Sequence, residues 1–376
     1  MKARPPQLYW YYASVVCFLI LLEISSRKVV ERLVDSAFSN SSSDYRAGRF
    51  TTLTCPKNHS NVTKSQSPDS PDDRNFYWCV ITRDSLRKDT NWNDNLWGWN
   101  GSIQHSAEGV LPCWSWFRQQ GAKDHCCGIL IMEGLAKLPH VWTLELIRDY
   151  MKCTVEFANN LLDLQRLRLL TSAGRHEFVQ FNFRDKYWMD PRDFAPLRDR
   201  VFGYRFTSEQ PKNSSSQVSI GIVQRRLDRR IDNIDAITET LREKGFQVDA
   251  VTFWDGWGSL LKYAKWYHNH DVIIAVHGCD LTNSIFIRPH HTVVIHLYPP
   301  KLHLVGVFEA LVAMAGGYNL EWFKGDPSYD FYSGSIHERK QAMFIPSISP
   351  PVDDVISLVE QAVQMQKRHG SDETSK

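Results

Sequence analysis

Asp271-Val272-Ile273-Ile274-Ala275-Val276-His277-Gly278-Cys279-Asp280-Leu281-Thr282-Asn283 decides the fold. Asp271 to Val276 is nearly all apolar, as expected of a strand covered on both faces, and such strands belong to parallel sheets. The strand runs into a glycine and then a helix start. Gly278 lets the backbone come close to a ligand. Asp280, Thr282 and Asn283 fall near a helix N-terminus, where free N–H groups favour an anion. His277 stands at the strand tip. A lone histidine is just as readily structural, and only the strand-turn-helix context marks it.

Reading outward, the same alternation continues on both sides. Val218 to Val223 and Val248 to Phe253 read as strands, with a helix over Asn233 to Lys244 between them that stops at Gly245. Trp257 to His270 reads as a second helix leading into the Asp271 strand. Leu281 to Ile287 reads as a short helix closed by Pro289. Thr292 to Leu297 is the next strand, and Leu304 to Ala315 a helix stopped by Gly316-Gly317. Tyr318 to Phe323 and Val352 to Lys367 complete the series as strand and helix. Strands alternating with helices predict a parallel doubly wound sheet over 217–368.

Upstream, 75–210 is less regular. Gly128 to Met132 reads as a buried strand, Thr143 to Leu170 as a helix by its apolar spacing, and Phe178 to Phe183 as an alternating strand. This is a mixed α/β segment, and Pro211 to Ser216 is a polar break between the two halves.

The leader sets the compartment. Leu8 to Ile24 is apolar up to Glu23, at the short end for a membrane span. No A-x-A site follows it, which favours an uncleaved anchor over a signal peptide. The reading is a cytosolic tail over 1–7, a transmembrane signal anchor over 8–24 and a stem over 25–74. The stem's Ser, Asn, Asp, Pro and Thr content leaves little to bury. Asn-x-Ser/Thr triplets at Asn40, Asn58, Asn61, Asn100 and Asn213 put the part beyond the anchor in a lumen. The expectation is a single-pass type II protein of the Golgi or endoplasmic reticulum.

Of 8 cysteines, Cys17 lies in the apolar run and Cys279 reads as a buried thiol. Cys55, Cys79, Cys113, Cys126, Cys127 and Cys153 form an even set, open to several pairings in an oxidising lumen. Zinc is the competing reading, but no C-x-x-C or H-x-x-x-H spacing supports it. A net charge of +2 over 376 residues is too mild to argue for nucleic acid. The 13 Trp are compatible with sugar stacking, though most tryptophans pack in cores.

The chemistry concentrates at two strand ends, where an open parallel sheet binds its ligands. The first is the Asp271 strand already quoted. The second is Gln224-Arg225-Arg226-Leu227-Asp228-Arg229-Arg230-Ile231-Asp232-Asn233 after the strand at Val218. Guanidinium forks suit a pyrophosphate, and a solvated basic loop is the bland alternative. Neither a P-loop nor a G-x-G-x-x-G fingerprint is present, which disfavours dinucleotide oxidoreductases and methyltransferases. Asp-x-Asp is absent as well. A divalent metal is therefore possible but not implied, no cofactor is indicated, and the arginines must neutralise the phosphates.

In this order and spacing, Ile220 to Pro299 resembles the C-terminal half of glycosyltransferase family 61. That family carries RR-x-x-R-x-I-x-N after a strand, then HGAGLTN and F-x-x-P. Here these are Arg225-Arg226, Arg229, Ile231 and Asn233; His277 to Asn283; and Phe286 with Pro289. The resemblance implies a GT-B-like fold of two Rossmann-like domains with the active site in the cleft between them. It implies inverting transfer from a UDP-sugar, with N-acetylglucosamine or xylose as the sugar, to a glycoprotein or glycan acceptor. Arg226 and Arg229 would hold the diphosphate, joined by Arg230 on local charge alone. His277, Gly278, Thr282 and Asn283 would line the donor pocket, and Asn233 would buttress the arginine loop or touch the donor.

The chain also departs from the family pattern. Cys279 and Asp280 stand where the family has Ala-Gly, and His290-His291 where it has Gly-Ala. Ile295 and His296 stand where an acidic residue is usual. A catalytically inactive lumenal relative that binds nucleotide-sugar or glycan as a scaffold is the alternative. For the base that inversion requires, Glu133, His140, His176, Asp190 and Asp193 are open candidates, and none is assigned.

Overall fold

The computed structural model describes residues 76–81, 103–122, 124, 126–132, 141–158, 176–180, 189–203, 217–253, 259–302, 306–326 and 335–373. All of these lie in one compact unit, Thr54–Lys376. The anchor over 8–24, the stem, Cys55, the glycosylation triplets and the break at 211–216 fall outside the described residues. Among the described residues no helix is long and apolar enough to cross a membrane.

The first half holds a parallel sheet. Strand β1 (Phe76–Ile81) is followed by helix α1 (Ile103–Gln119), β2 (Cys127–Met132), α2 (Val141–Glu145), a π-helical turn (Leu146–Tyr150), β3 (Thr154–Ala158) and β4 (His176–Gln180). A short 3-10 turn (Pro191–Asp193) then leads into α3 (Phe194–Phe202). The strand order is β3-β2-β1-β4, with every pairing parallel.

Two of the expected strands are found here, β2 and β4. The helix expected over Thr143 to Leu170 is not: the helical turns end at Tyr150, and β3 follows. The cause lies at Lys152 and Cys153. Lys152 takes a positive φ of 56°, which no helix continues through. Cys153 is bonded to Cys127, tethering the chain where it must run beside β2. Residues 159–170 of that expected helix lie outside the described residues. A second disulfide, Cys79–Cys113, joins β1 to α1. Of the six candidate cysteines, Cys126 is buried and in neither bond.

The second half matches its expected elements closely. In chain order they are β5 (Ser219–Val223), β6 (Arg230–Ile231), α4 (Ile234–Glu243), β7 (Gln247–Val251), α5 (Leu260–Asn269) and β8 (Val272–Val276). A 3-10 helix (Cys279–Phe286), β9 (Val293–Leu297), α6 (Phe308–Met314), β10 (Tyr318–Trp322), α7 (Ile336–Met343), β11 (Ser347–Ile348) and α8 (Val352–Glu373) follow. The main sheet has the order β10-β9-β8-β5-β7, again parallel throughout. Counted from the first of its own strands this is the doubly wound order 2-1-3-4-5, whose switch point falls between β5 and β8. A two-residue ladder between β6 and β11 stands apart.

The β8 strand shows why its sequence is apolar throughout. Val272, Ile274 and Val276 pack with α4 and α8 through Ile237, Leu241, Val355 and Val359. Ile273 and Ala275 point the other way, into a core shared with the first half that includes Trp114, Trp142, Phe194, Tyr267 and Phe286. Arg198 of α3 reaches into this layer, and one of its nitrogens lies 3.0–3.4 Å from the carbonyls of Ile285, Ile287 and Ala315. Burial lowers that guanidinium to about 10, but it remains a cation and ties the 3-10 helix to the first half.

His268 of α5 sits in the same layer, with Nδ1 3.3 Å from the Phe286 carbonyl and its ring over Phe202. Burial pushes it from 6.5 down to about 4, against the carbonyl contact and helped by Arg288 and Arg198. The folded state thus resists a proton that the unfolded state accepts. Stability is full above about 6.5 and falls as pH drops toward about 4. In urea titrations across this window His268→Gln should flatten the slope of unfolding free energy against pH. An unchanged slope would remove His268 as its source.

Candidate functional site

The two polar segments read from sequence lie at the carboxyl ends of β5 and β8, the pair flanking the switch point. Chain connections leave these two strands in opposite directions, so a crevice opens between their loops.

The arginine loop is closed by Gln224. Its Oε1 accepts from the backbone N–H of Arg225 and of Ile231, and its Nε2 donates to the Ile231 carbonyl at 2.9 Å. The outer limb is fixed to the β11 segment, where the N–H groups of Arg229, Arg230 and Asp232 bond the carbonyls of Ile345, Pro346 and Ile348. Arg229 takes a positive φ of 51°, which turns its side chain back beneath the loop. There it is buried and donates Nη1–H to the His277 carbonyl at 2.7 Å. Its other nitrogens meet Asp228.

Arg225 completes the contact. It donates to Asp228 at 2.8 Å and to Asp280 at 3.0 Å. A Cβ on Gly278 would lie 2.3 Å from Arg225 Nη1, so the glycine is needed for a guanidinium to lie against the backbone. Gly278 itself is simply extended, with φ 168°. Burial works against the charge of Arg225, but Asp280, the Cys279 thiol and Asp228 outweigh it and hold the group above its ordinary value. Arg229 is lowered by burial and by the like charge of Arg225, with Asp228 opposing. Asp228 is raised by burial, yet the two arginines win and hold it below the usual carboxylate range.

The 3-10 helix hangs from three bonds. Tyr267 of α5 donates its hydroxyl to the Asp280 carbonyl at 2.8 Å, Asn283 Nδ2 donates to the same carbonyl, and Trp142 of α2 donates to Asn283 Oδ1 at 2.9 Å. Thr282 and Ser284 are fully buried, and their hydroxyls have no hydrogen-bond partner among the described residues. His277 is buried with Nδ1 3.1 Å from His296 Nε2, and His296 Nδ1 is 2.6 Å from Glu309. Cys279 is half-buried and in no disulfide, its thiol pushed up by burial and by Asp280.

Arg229, His277 and Gly278 are therefore in direct contact, with Thr282 and Asn283 packed beneath them. Arg226 is exposed on the loop. Arg230 is exposed too, 3.6 Å from Asp232, and faces the β11 side with the loop's outer limb. Asn233 sits at the start of α4 and donates to the Pro350 carbonyl at 2.6 Å, which makes it a brace to the segment before α8. The inner partner of Arg229 is Arg225, part of the motif but given no role by sequence. Asp228, which pairs both arginines, is equally unforeseen, although the Arg225–Asp228 spacing is a local signal.

Among the base candidates, Glu133 and His140 lie outside the described residues. His176 begins β4, the end of a parallel strand remote from its ligand edge. Asp190 caps the 3-10 turn before α3 and pairs with Arg192 at 2.7 Å, and Asp193 pairs with Arg118 at 2.6 Å.

These features define a doubly wound parallel α/β protein with a charge-balanced cluster of two arginines and two aspartates at its switch point. The glycosyltransferase 61 family model matches residues 132–295, from the end of β2 into β9. That segment includes both crevice loops and reaches back into the first half, beyond where the motifs alone extend. Over that segment the chain is similar to glycosyltransferase family 61, a family of sugar-transferring enzymes. No curated protein matches the chain.

Arg229→Ala would strand the His277 carbonyl and weaken the hold on Asp228. It should cost on the order of 3 kcal/mol of stability, as breaking a buried pair does. Arg226→Ala, at an exposed position, should cost less than Arg229→Ala. Urea unfolding of the two variants decides this; equal losses would contradict the buried role of Arg229.

Proposed function

We propose that the protein is an inverting glycosyltransferase that moves a sugar, N-acetylglucosamine or xylose, from a UDP-sugar to a glycoprotein or glycan acceptor. The observation that carries this is the meeting of the two family motifs at one switch point, through Arg229 on the His277 carbonyl. The halves act as a GT-B pair, 75–210 on the acceptor side and 217–368 on the donor side. Disulfides Cys79–Cys113 and Cys127–Cys153 support a lumenal setting, held to a Golgi or endoplasmic reticulum membrane by the 8–24 segment.

The division of labour follows from burial. Arg225 and Arg229 build the loop contact and present a net positive field only when Asp280 turns away. Arg226, exposed on the loop as Arg230 is, takes diphosphate oxygens directly. The turn at Cys279–Asn283 supplies backbone N–H groups, which together with the arginines stabilise the charge that builds on departing UDP.

One observation favours the second reading, a lumenal binding protein without transfer activity. Asp280 already occupies Arg225 at 3.0 Å, so a diphosphate must compete with a carboxylate.

Isothermal titration of UDP, with UDP-release assays across a donor panel with and without glycoprotein acceptors, separates these readings. Transfer requires saturable UDP binding and acceptor-stimulated release from one donor. Binding with no release across the panel would favour the scaffold, and no binding at millimolar UDP would sink both. Asp280→Asn frees Arg225 and should tighten UDP roughly tenfold, about 1.4 kcal/mol. An unchanged or weaker affinity would mean that Asp280 does not oppose the ligand.

A further inference from the structure

Behind the crevice turn runs a chain of hydrogen bonds through buried side chains. Trp142 of α2 donates its indole N–H to Asn283 Oδ1 at 2.9 Å. Asn283 Nδ2 donates to the Asp280 carbonyl at 3.0 Å. Tyr267 of α5 donates its hydroxyl to the same carbonyl at 2.8 Å. Trp142, Tyr267 and Asn283 are each at most 1% exposed.

The chemistry of the end groups fixes every bond in the chain. An indole nitrogen only donates and a carbonyl only accepts. The Asn283 amide must therefore turn its oxygen to Trp142 and its nitrogen to Asp280. Flipped, it would set donor against donor and acceptor against acceptor. A carboxylate at 283 would lack the donor for the carbonyl, and an aliphatic side chain would serve neither partner. Burial, with Asp280 and Cys279 adding to it, raises the Tyr267 phenol well above its ordinary value. Tyr267 is thus a neutral O–H donor at any working pH. The Asp280 carbonyl has both lone pairs filled.

Both donors trace back to one short helix. Trp142 holds Asn283 directly. Glu145, the last residue of α2, accepts from the Leu260 N–H at 2.7 Å. Leu260 opens α5, and Tyr267 lies about two turns further along it. The helix α2 therefore grips the turn after β8 and the start of α5, and these two meet again at the Asp280 carbonyl. The result is a closed ring from the first half of the chain to the second. Two bonds on the Asp280 carbonyl fix the peptide plane that follows it, and with it the start of the 3-10 helix. The Asp280 side chain leaves the same residue toward Arg225, 3.0 Å away.

We infer that Trp142, Tyr267 and Asn283 are positioning residues of the donor crevice, holding the turn at Cys279–Asp280 in its ligand-binding form from the first half of the chain. The inference rests on the UDP-sugar reading of that crevice. Asn283 acts inward, on the backbone of the turn, and not on the donor itself. A diphosphate that meets backbone N–H groups here finds them already ordered, so binding carries no cost for ordering them. Without the ring those groups are ordered only at the moment of binding, and affinity falls. The sign is opposite to that expected for removing the Asp280 carboxylate, which frees Arg225.

Two measurements on the whole protein test this. Thiol labelling without ligand, read at Cys279 by peptide mass spectrometry, reports opening of the turn, because Cys279 is half-buried and in no disulfide. Tyr267→Phe and Trp142→Phe should each raise the labelling rate roughly tenfold, the worth of one hydrogen bond, by a route that does not depend on urea. Glu145→Ala should raise it as well, and Glu145→Gln, which keeps an acceptor for the Leu260 N–H, should not. A merely structural role would lower stability and change labelling only through global unfolding, which depends on urea; that outcome overturns the inference. Titration calorimetry with UDP is the second measurement. Tyr267→Phe should weaken UDP roughly tenfold, in the Asp280→Asn background as well. Unchanged or tighter binding overturns the positioning role. If the unaltered protein binds no UDP, the donor-site reading fails instead, and Cys279 labelling still decides whether the ring holds the turn.

Discussion

Everything at the crevice depends on Arg229 donating to the carbonyl of His277 while Arg225 lies flat against Gly278. That tie joins the loop after β5 to the turn after β8. Sheet order makes it possible, because β5 and β8 are neighbours although their loops lead to opposite sides of the sheet. A side chain at 278 would put a methyl where a guanidinium nitrogen now lies. A shorter cation at 229 could not reach the carbonyl and Asp228 together, since that takes separate nitrogens of a planar fork. The left-handed turn at Arg229, which is costly for a residue with a side chain, persists because the loop is bonded at Gln224 on one side and at Ile345 on the other.

Charge balance gives the site its character. Two buried guanidinium groups face two carboxylates, Asp228 and Asp280, and the four neutralise one another. Such a cluster is a stable floor but a weak anion trap as it stands. On the proposed donor-site reading, attraction for a diphosphate would come from the exposed arginines at the rim, from backbone N–H groups and from the charge that Arg225 regains when Asp280 turns away.

Much of this architecture is legible in the residues. The β8 strand declares itself because both faces are covered, so its apolar run has no polar interruption. Helices such as α4 show by period and by a terminal glycine. The first half is harder because its strands are separated by long stretches without a regular strand-helix alternation. The helix expected beyond Thr143 fails because a disulfide and a positive φ, neither visible as periodicity, turn the chain into β3. At the site, the arginine run identifies the loop but not the roles within it. Which guanidinium points inward is set by the backbone at Arg229 and by the β6–β11 ladder, whose second strand lies over a hundred residues later. Trp142 carries no local signal, since its partner Asn283 lies 141 residues later.

A crystal structure with UDP bound examines the crevice most directly. Diphosphate oxygens should lie within hydrogen-bond distance of the arginine loop at 225–229 and of the backbone N–H groups at 279–283, with the Arg225–Asp280 pair opened. A diphosphate seated off the carboxyl ends of β1 and β4, or one bound with Arg225 and Asp280 still paired and no contact to either loop, would contradict it.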